Sequence, residues 1–246
     1  MKKISVLLLV FFCFNKSYGS ELLTTAAQLE KKIFHLSVYY AKARNQYDFR
    51  VSNNVFGSEG EDEKIVLKWT YNVGSNFYPW VKIGTSIGEY KLVIPSYTAT
   101  NYYSGSKNNL VYGIGIKILL FPDTVVSPAL SLEVGCTSFI HEIDKLYQNN
   151  SSIGERISYR LKISEKQGAI LVSKRFSNLE PYSGFRIFHK TSQLRDENSA
   201  KKVNGEKDGC SLFFGLKMLL YRSVRAIFEI GSVGETILSV GLSSVF

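Results

Sequence analysis

Beyond residue 20 the chain has no apolar run long enough to cross a bilayer as a helix, because Lys, Arg, Asp, Glu or Gly interrupts every candidate. Cysteine is scarce, three in 246 residues, and none lies at metal-ligand spacing. Cys13 falls in an N-terminal leader, and the remaining pair, Cys136 and Cys210, is too few for a disulfide framework and reads as structural. The three histidines, His35, His141 and His189, are scattered without a Cys/His cluster, and there is no Gly-rich phosphate loop. No cofactor or metal is expected. The formal charge of +9 is dispersed over the chain rather than gathered in a patch, so solvation accounts for it and no nucleic-acid partner is expected.

What is present begins with the first residues. Lys2 and Lys3 precede an apolar run from Ile4 to Phe14, and the chain then turns small and polar through Asn15–Ser20. Ser17 and Gly19 stand at the spacing a signal peptidase accepts, so residues 1–19 read as a cleaved signal peptide and residues 20–246 as one domain. Loss of Lys2, Lys3 and Lys16 on cleavage lowers the net charge to +6. The run is too short to span a bilayer. Phe11 and Phe12 stand where a lipoprotein signal around Cys13 would need small residues.

Fifteen Tyr and sixteen Phe sit in a chain of near-neutral mean hydropathy, the balance obtained when apolar and polar residues alternate. Period-two segments predict ten strands: Ile33–Ala43, Lys64–Gly74, Pro79–Tyr90, Leu110–Phe121, Ala129–Ile143, Arg156–Lys174, Pro181–Thr191, Cys210–Tyr221, Val224–Val233 and Thr236–Phe246. Their connections alternate in length. Short turns are expected at Ser75–Tyr78, Pro122–Pro128, Ser177–Glu180 and Arg222–Ser223, and long polar loops at Asn45–Glu63, Pro95–Asn109, Asp144–Glu155 and Gln193–Gly209; Gly234–Glu235 is a short exception. This asymmetry suits an all-β, closed antiparallel up-and-down transmembrane barrel of about ten strands with short periplasmic turns and longer outer loops. Interfacial aromatic girdles are expected from Tyr39, Tyr40, Trp69, Tyr71, Trp80, Tyr112, Tyr159, Tyr182 and Tyr221, with Trp80 equally open to an inward position.

With the apolar face turned to lipid, the inward face is expected to collect Lys68, Lys82, Lys117, Arg160, Lys162, Arg186, Lys217 and Arg225, with Glu133 and Glu229 the inward carboxylates of regular strand. A Lys or Arg facing lipid at the midplane costs about 2–4 kcal/mol, which drives these groups inward. They admit two readings, a plug of paired charges or a narrow cationic path favouring anions. Two segments echo each other. Gly115-x-Lys117-x-Leu119-Leu120 matches Gly215-x-Lys217-x-Leu219-Leu220, and Glu133-x-Gly135 matches Glu229-x-Gly231, as in a duplicated hairpin.

In the last strand Leu238, Val240, Leu242, Ser244 and Phe246 share one face, and Phe246 is the final residue. Here the chain resembles bacterial outer-membrane β-barrels of the small opacity or porin-like kind, whose last strand ends in an aromatic. The resemblance implies the cell outer membrane as location, membrane lipid and the barrel-assembly machinery as partners, and Leu238, Val240, Leu242 and Phe246 as the assembly signal. Ser244 departs from the pattern, which prefers an apolar residue there.

A few residues bear on catalysis. Omptin-type proteases carry Asp and His pairs at the outer rim, where this chain has His141, Glu142 and Asp144, with Asp196 and Glu197 in a later loop; it has no Asp-x-His. Lipid A deacylase barrels use His-x-Ser on a late strand, whereas His35-Leu36-Ser37 falls on the first. The expectation is a non-enzymatic barrel with a structural or surface-interaction role, its outer loops open to an extracellular ligand. Those loops are acidic at Glu59, Glu61, Asp62 and Glu63 and basic at Lys201, Lys202 and Lys207.

Overall fold

The computed structural model describes residues 34–51, 54–74, 76–92, 101–104, 109–143, 145–148, 151–152, 159–197, 202–232 and 236–246. The expected leader at 1–19, most of the two middle expected loops, Asp144, Lys201 and the expected Gly234–Glu235 turn lie outside the described residues. The strands in chain order are β1 (Phe34–Val51), β2 (Asn54–Tyr71), β3 (Phe77–Leu92), β4 (Asn101–Ser104), β5 (Asn109–Phe121), β6 (Ala129–Ile143), β7 (Lys145–Gln148), β8 (Ser151–Ser152), β9 (Tyr159–Ser173), β10 (Leu179–Asp196), β11 (Lys202–Tyr221), β12 (Val224–Ser232) and β13 (Ile237–Val245).

Ten of these form one closed antiparallel barrel. Around the ring the order is β1, β2, β3, β5, β6, β9, β10, β11, β12 and β13, which returns to β1 through pairs from His35–Val245 to Ala43–Ile237. Closure satisfies each strand on both sides and leaves no edge, the condition for crossing hydrocarbon with strands. The seam ends in a reciprocal pair, Phe246 N–H to Phe34 C=O at 3.0 Å and Phe34 N–H to Phe246 C=O at 3.4 Å. The remaining β4, β7 and β8 are short and extend the sheet beyond β3.

All ten sequence-predicted strands are present, but two expected loops are largely strand. β1 and β2 stay paired as far as Val51–Asn54, and β10 and β11 as far as Arg195–Lys202. Above the belt the outward face meets water instead of lipid, so apolar alternation fades although the ladder and the inward burial of Asp62 and Leu194 continue. At the opposite end the turns are short, and two are tied together. Lys174 Nζ bonds the Thr124 carbonyl and pairs with Asp123 at 3.1 Å, while the Arg175 N–H donates to Asp123 Oδ2 at 3.1 Å. Arg222 and Ser177 hold these tight turns in the left-handed region, with φ of 44° and 52°.

The outward face carries an apolar belt about five side chains tall: Leu110, Tyr112, Ile114 and Leu120 on β5, Leu212, Phe214, Leu216 and Leu220 on β11, Leu238, Val240 and Leu242 on β13. Phe34, Tyr71, Phe77, Phe121, Tyr221 and Phe246 ring its lower margin. Its upper margin is abrupt: Tyr40 on β1 gives way to Lys42 and Arg44, and Ile65 on β2 to Glu63 and Glu61. Two residues expected in the girdle, Tyr39 and Tyr182, point inward instead, and Trp80, open to either side from the sequence, takes the inward position. For Trp80 and Tyr182 the cause is glycine. A Cβ at Gly115 or Gly135 would overlap the Trp80 indole, and one at Gly215 would overlap the Tyr182 ring, so each aromatic lies flat on a neighbouring strand that has no side chain there.

Candidate functional site

The site to be explained is the barrel interior, which side chains fill. Inward residues of β3 place Tyr78, Trp80, Lys82 and Tyr90 across the lumen, and β10 and β11 add Tyr182, Arg186, Phe188, Lys190 and Phe213 from the other wall. Cations rest on rings throughout. Lys68 Nζ lies 4.5 Å from the Trp80 ring centre, Lys64 Nζ 4.5 Å from Phe139 and Lys190 Nζ 4.9 Å from Phe188. Such contacts compensate a desolvated ammonium where water is excluded.

Carboxylates answer the rest of the charge. Lys68 donates to Glu133 Oε1 at 3.0 Å, Lys190 lies 3.3 Å from Glu165, Lys217 lies 4.0 Å from Glu180, and the Tyr182 hydroxyl donates to Glu229 at 3.1 Å. Among the described residues the interior buries eight Lys or Arg against five Asp or Glu. A low-dielectric space tolerates ions only when they are paired and hydrogen-bonded, and most of these are.

Of the interior residues named from the sequence, Lys68, Lys82, Lys117, Glu133, Arg186, Lys217, Arg225 and Glu229 are buried on the inward face. Arg160 and Lys162 are not: β9 buries Leu161, Ile163, Glu165, Gln167 and Ala169 instead, and Arg160 and Lys162 project outward. That stretch runs above the belt, where an outward cation meets water and headgroups, so the rule that turns charges inward does not apply. Sequence reasoning also missed Asp62, Lys64, Glu165, Glu180 and Lys190. Asp62 lay in an expected loop, Lys64 and Lys190 near strand ends and Glu180 in an expected turn, while Glu165 was hidden because β9 buries the face opposite to the one expected.

At the outer mouth five polar side chains from four strands converge. The Tyr90 hydroxyl donates to Asp62, His141 Nε2 stands 3.5 Å from Asp62 Oδ1 and from Ser86 Oγ, and Asn109 Nδ2 is 2.9 Å from His141 Nδ1. The Glu142 N–H donates to Asn109 Oδ1 at 3.1 Å, which fixes that amide and leaves its NH2 group for His141. His141 Nδ1 therefore accepts, and Nε2 carries the proton that faces Asp62. Both ring nitrogens are engaged, and the Tyr90 and Phe139 rings flank the imidazole at 4.9 and 5.3 Å. Of the rim residues weighed from the sequence, His141 is fully buried, Glu142 points outward, away from it, and Glu197 pairs with Arg160 at 3.6 Å. His35 and Ser37 both lie inside at the periplasmic end.

No family model matches the sequence, and no curated protein matches it. Among solved structures, the outer-membrane protease OmpT of Escherichia coli is similar with a TM-score of 0.54 at 9% identity, over 92% of this chain and all of that one. The fold is that of a bacterial outer-membrane β-barrel. The translocator domain of the autotransporter NalP from Neisseria meningitidis is more distant, with a TM-score of 0.44 at 9% identity over 88% of this barrel and 90% of that domain. An outer-membrane channel from Pseudomonas putida also scores 0.44, at 7% identity. At such identities the likeness carries architecture and nothing of activity. Together with its apolar belt, the architecture puts this barrel in the outer membrane, lipid against the belt and the long hairpins β1–β2 and β10–β11 projecting from one side.

Proposed function

We propose that this barrel is a plugged, non-enzymatic outer-membrane protein with a structural or surface-contact role, its contacts made by the hairpins above the belt. The observation that carries the reading is the mid-barrel stack in which Trp80 lies across Gly115 and Gly135 with Lys68 on the indole and Glu133 bonded to Lys68. Every element of that stack comes from barrel strands, so no hinged segment exists in it to swing aside. A hydrolytic role for His141 is disfavoured by its geometry, since a base must offer a free ring nitrogen to its substrate or water. The same face of β13 that meets lipid, with Leu238, Val240, Leu242 and terminal Phe246, is proposed as the segment that the assembly machinery reads.

A second reading, a narrow anion-preferring pore, is favoured by the excess of buried cations over carboxylates. Liposome swelling separates the two. Proteoliposomes of the refolded chain should not swell in small neutral or anionic solutes. Swelling with small anions would favour the pore, and sustained swelling with both would end the plugged reading.

A further inference from the structure

The periplasmic end carries an apolar surface that the barrel itself leaves uncovered. In the turn between β5 and β6, Val125 and Val126 are 98% and 93% exposed, side by side at the tip. The turn that displays them is braced. The Thr124 N–H donates to the Ser127 carbonyl at 3.0 Å, and the Ser127 N–H to Thr124 Oγ1 at 2.9 Å. From the turn between β9 and β10, Lys174 donates to the Thr124, Val125 and Ser127 carbonyls, and Asp123 answers it with an ion pair and takes the Arg175 N–H. Phe176 in that second turn and Val73 in the turn between β2 and β3 are also more than half exposed. Phe121 already marks the lower margin of the belt, so the valines stand beyond the hydrocarbon. The charge around them is cationic: Arg175 lies 3.7 Å from Glu180, and Arg222, stacked on Tyr221, has no carboxylate partner among the described residues.

We propose that this surface is the docking site of the chain's own residues 20–33, which lie between the expected leader and β1 and pack on it as an amphipathic helix. The segment is outside the described residues, but the end that joins β1 is placed: Phe34 opens the strand at the same lower margin. Helical spacing puts Leu22, Ala26, Leu29 and Ile33 on one face, with Leu23 and Ala27 beside them and Thr24, Gln28 and Lys31 opposite. Length fits the span. A helix of 14 residues runs about 21 Å. Ten strands about 4.8 Å apart, tilted by about 40°, make a ring about 20 Å across. From β1 the segment therefore reaches the β5–β6 and β9–β10 turns, which lie nearly opposite on that ring. Glu30, at the edge of the apolar face, brings a carboxylate to the cationic end where Arg222 stands. This docking does not depend on whether the lumen is plugged.

The test uses the exported chain in lipid nanodiscs, open to reagent on both sides, with Cys136 and Cys210 changed to Ser. A cysteine placed at Val126 is exposed to a water-soluble maleimide, and its rate of reaction is read. The otherwise unchanged chain should react on the order of tenfold more slowly than one that also carries Leu22→Asp/Leu29→Asp, because the docked segment must open first. Thr24→Asp/Gln28→Asp adds the same charge to the opposite face and should leave the protection in place. Heat-modifiable migration should be alike in all of these, since none alters the barrel wall. A short thiol cross-linker should join Leu22→Cys to Val126→Cys within one chain and should not join Thr24→Cys to Val126→Cys. Equal rates with and without the Leu22/Leu29 change would overturn the proposal. So would protection that survives that change, which would mean lipid covers the turn, or cross-links between chains, which would mean a second copy does.

Discussion

Lys68 on β2 and Glu133 on β6 are joined across the barrel interior by a 3.0 Å ion pair, although β3 and β5 lie between their strands. The bond bridges the lumen rather than following the sheet. Removing one partner leaves the other charge buried and uncompensated, so Glu133→Gln should destabilise the folded barrel by about 3–5 kcal/mol. A combined Glu133→Gln/Glu229→Gln variant should lose more, and any leak through it should favour anions. Glu59→Gln, exposed above the belt, should do neither. Urea titration in detergent micelles and bilayer conductance read the two effects.

Trp80 owes its place to two glycines. Gly135→Val should push the indole off the wall, lowering stability by about 1–3 kcal/mol, as overpacking does. In a Trp69→Phe background Trp80 is the only fluorophore of its kind, and its emission should move to longer wavelength as water reaches it. An unchanged spectrum would mean that the ring has room the structure does not give it.

How much of this was legible in the sequence depended on where lipid begins. Strands β5 and β13 and the inner half of β11 could be read almost residue by residue because hydrocarbon enforces alternation along them. The outer halves of β1, β2, β10 and β11 could not, since their outward face meets water and their buried inward face is partly polar, as at Asp62 and Ser192. The same loss hid the outward turn of Arg160 and Lys162. The echo between Gly115-x-Lys117 and Gly215-x-Lys217 was visible, but its pairing was not: Lys117 sits opposite Glu133, whereas Lys217 sits opposite Ile227 and Glu229 faces Gly215. The second turn is shorter, so matched sequences meet in registers two residues apart. Tyr182 was misplaced, and Trp80 left open, because an aromatic over a cross-strand glycine has no signature along one strand.

The orientation of β9 can be tested by labelling. With Cys136 and Cys210 changed to Ser, a cysteine placed at Lys162 should react with a membrane-impermeant maleimide added outside intact cells. One placed at Leu161, fully buried on the inward face, should not. The reverse pattern would return Lys162 to the lumen.

A pH response is expected from the cluster above Tyr40. Hydrogen bonds from Lys42 and then Arg44 hold the Glu61 carboxyl below its ordinary value, and bonds to Glu61 and then Glu63 raise the Lys42 ammonium above its own. A lowered carboxylate contributes stability above its unfolded value of about 4.3, and the contribution is lost as pH falls through the lower folded one. The raised lysine contributes below about 10.4, and its part is lost as pH rises through the higher folded value. All these groups are substantially exposed, so the effect is small and fades with salt. Glu61→Gln should flatten the acid limb of the stability profile at low ionic strength and change nothing at high salt.

Deleting Phe246 should slow insertion into the outer membrane and lower the inserted amount while export proceeds. It removes both the terminal aromatic and its reciprocal backbone pair with Phe34. Pulse–chase protease protection measures this, and unchanged kinetics would make the terminus incidental.

The central claim is that the interior is closed by its own side chains, and single-channel recording of the refolded protein in a planar bilayer tests it most directly. Wild type should give a flat baseline at moderate voltage, and a Trp80→Ala/Lys68→Ala variant should open small steps. Regular, stable openings from the wild-type chain would contradict the account.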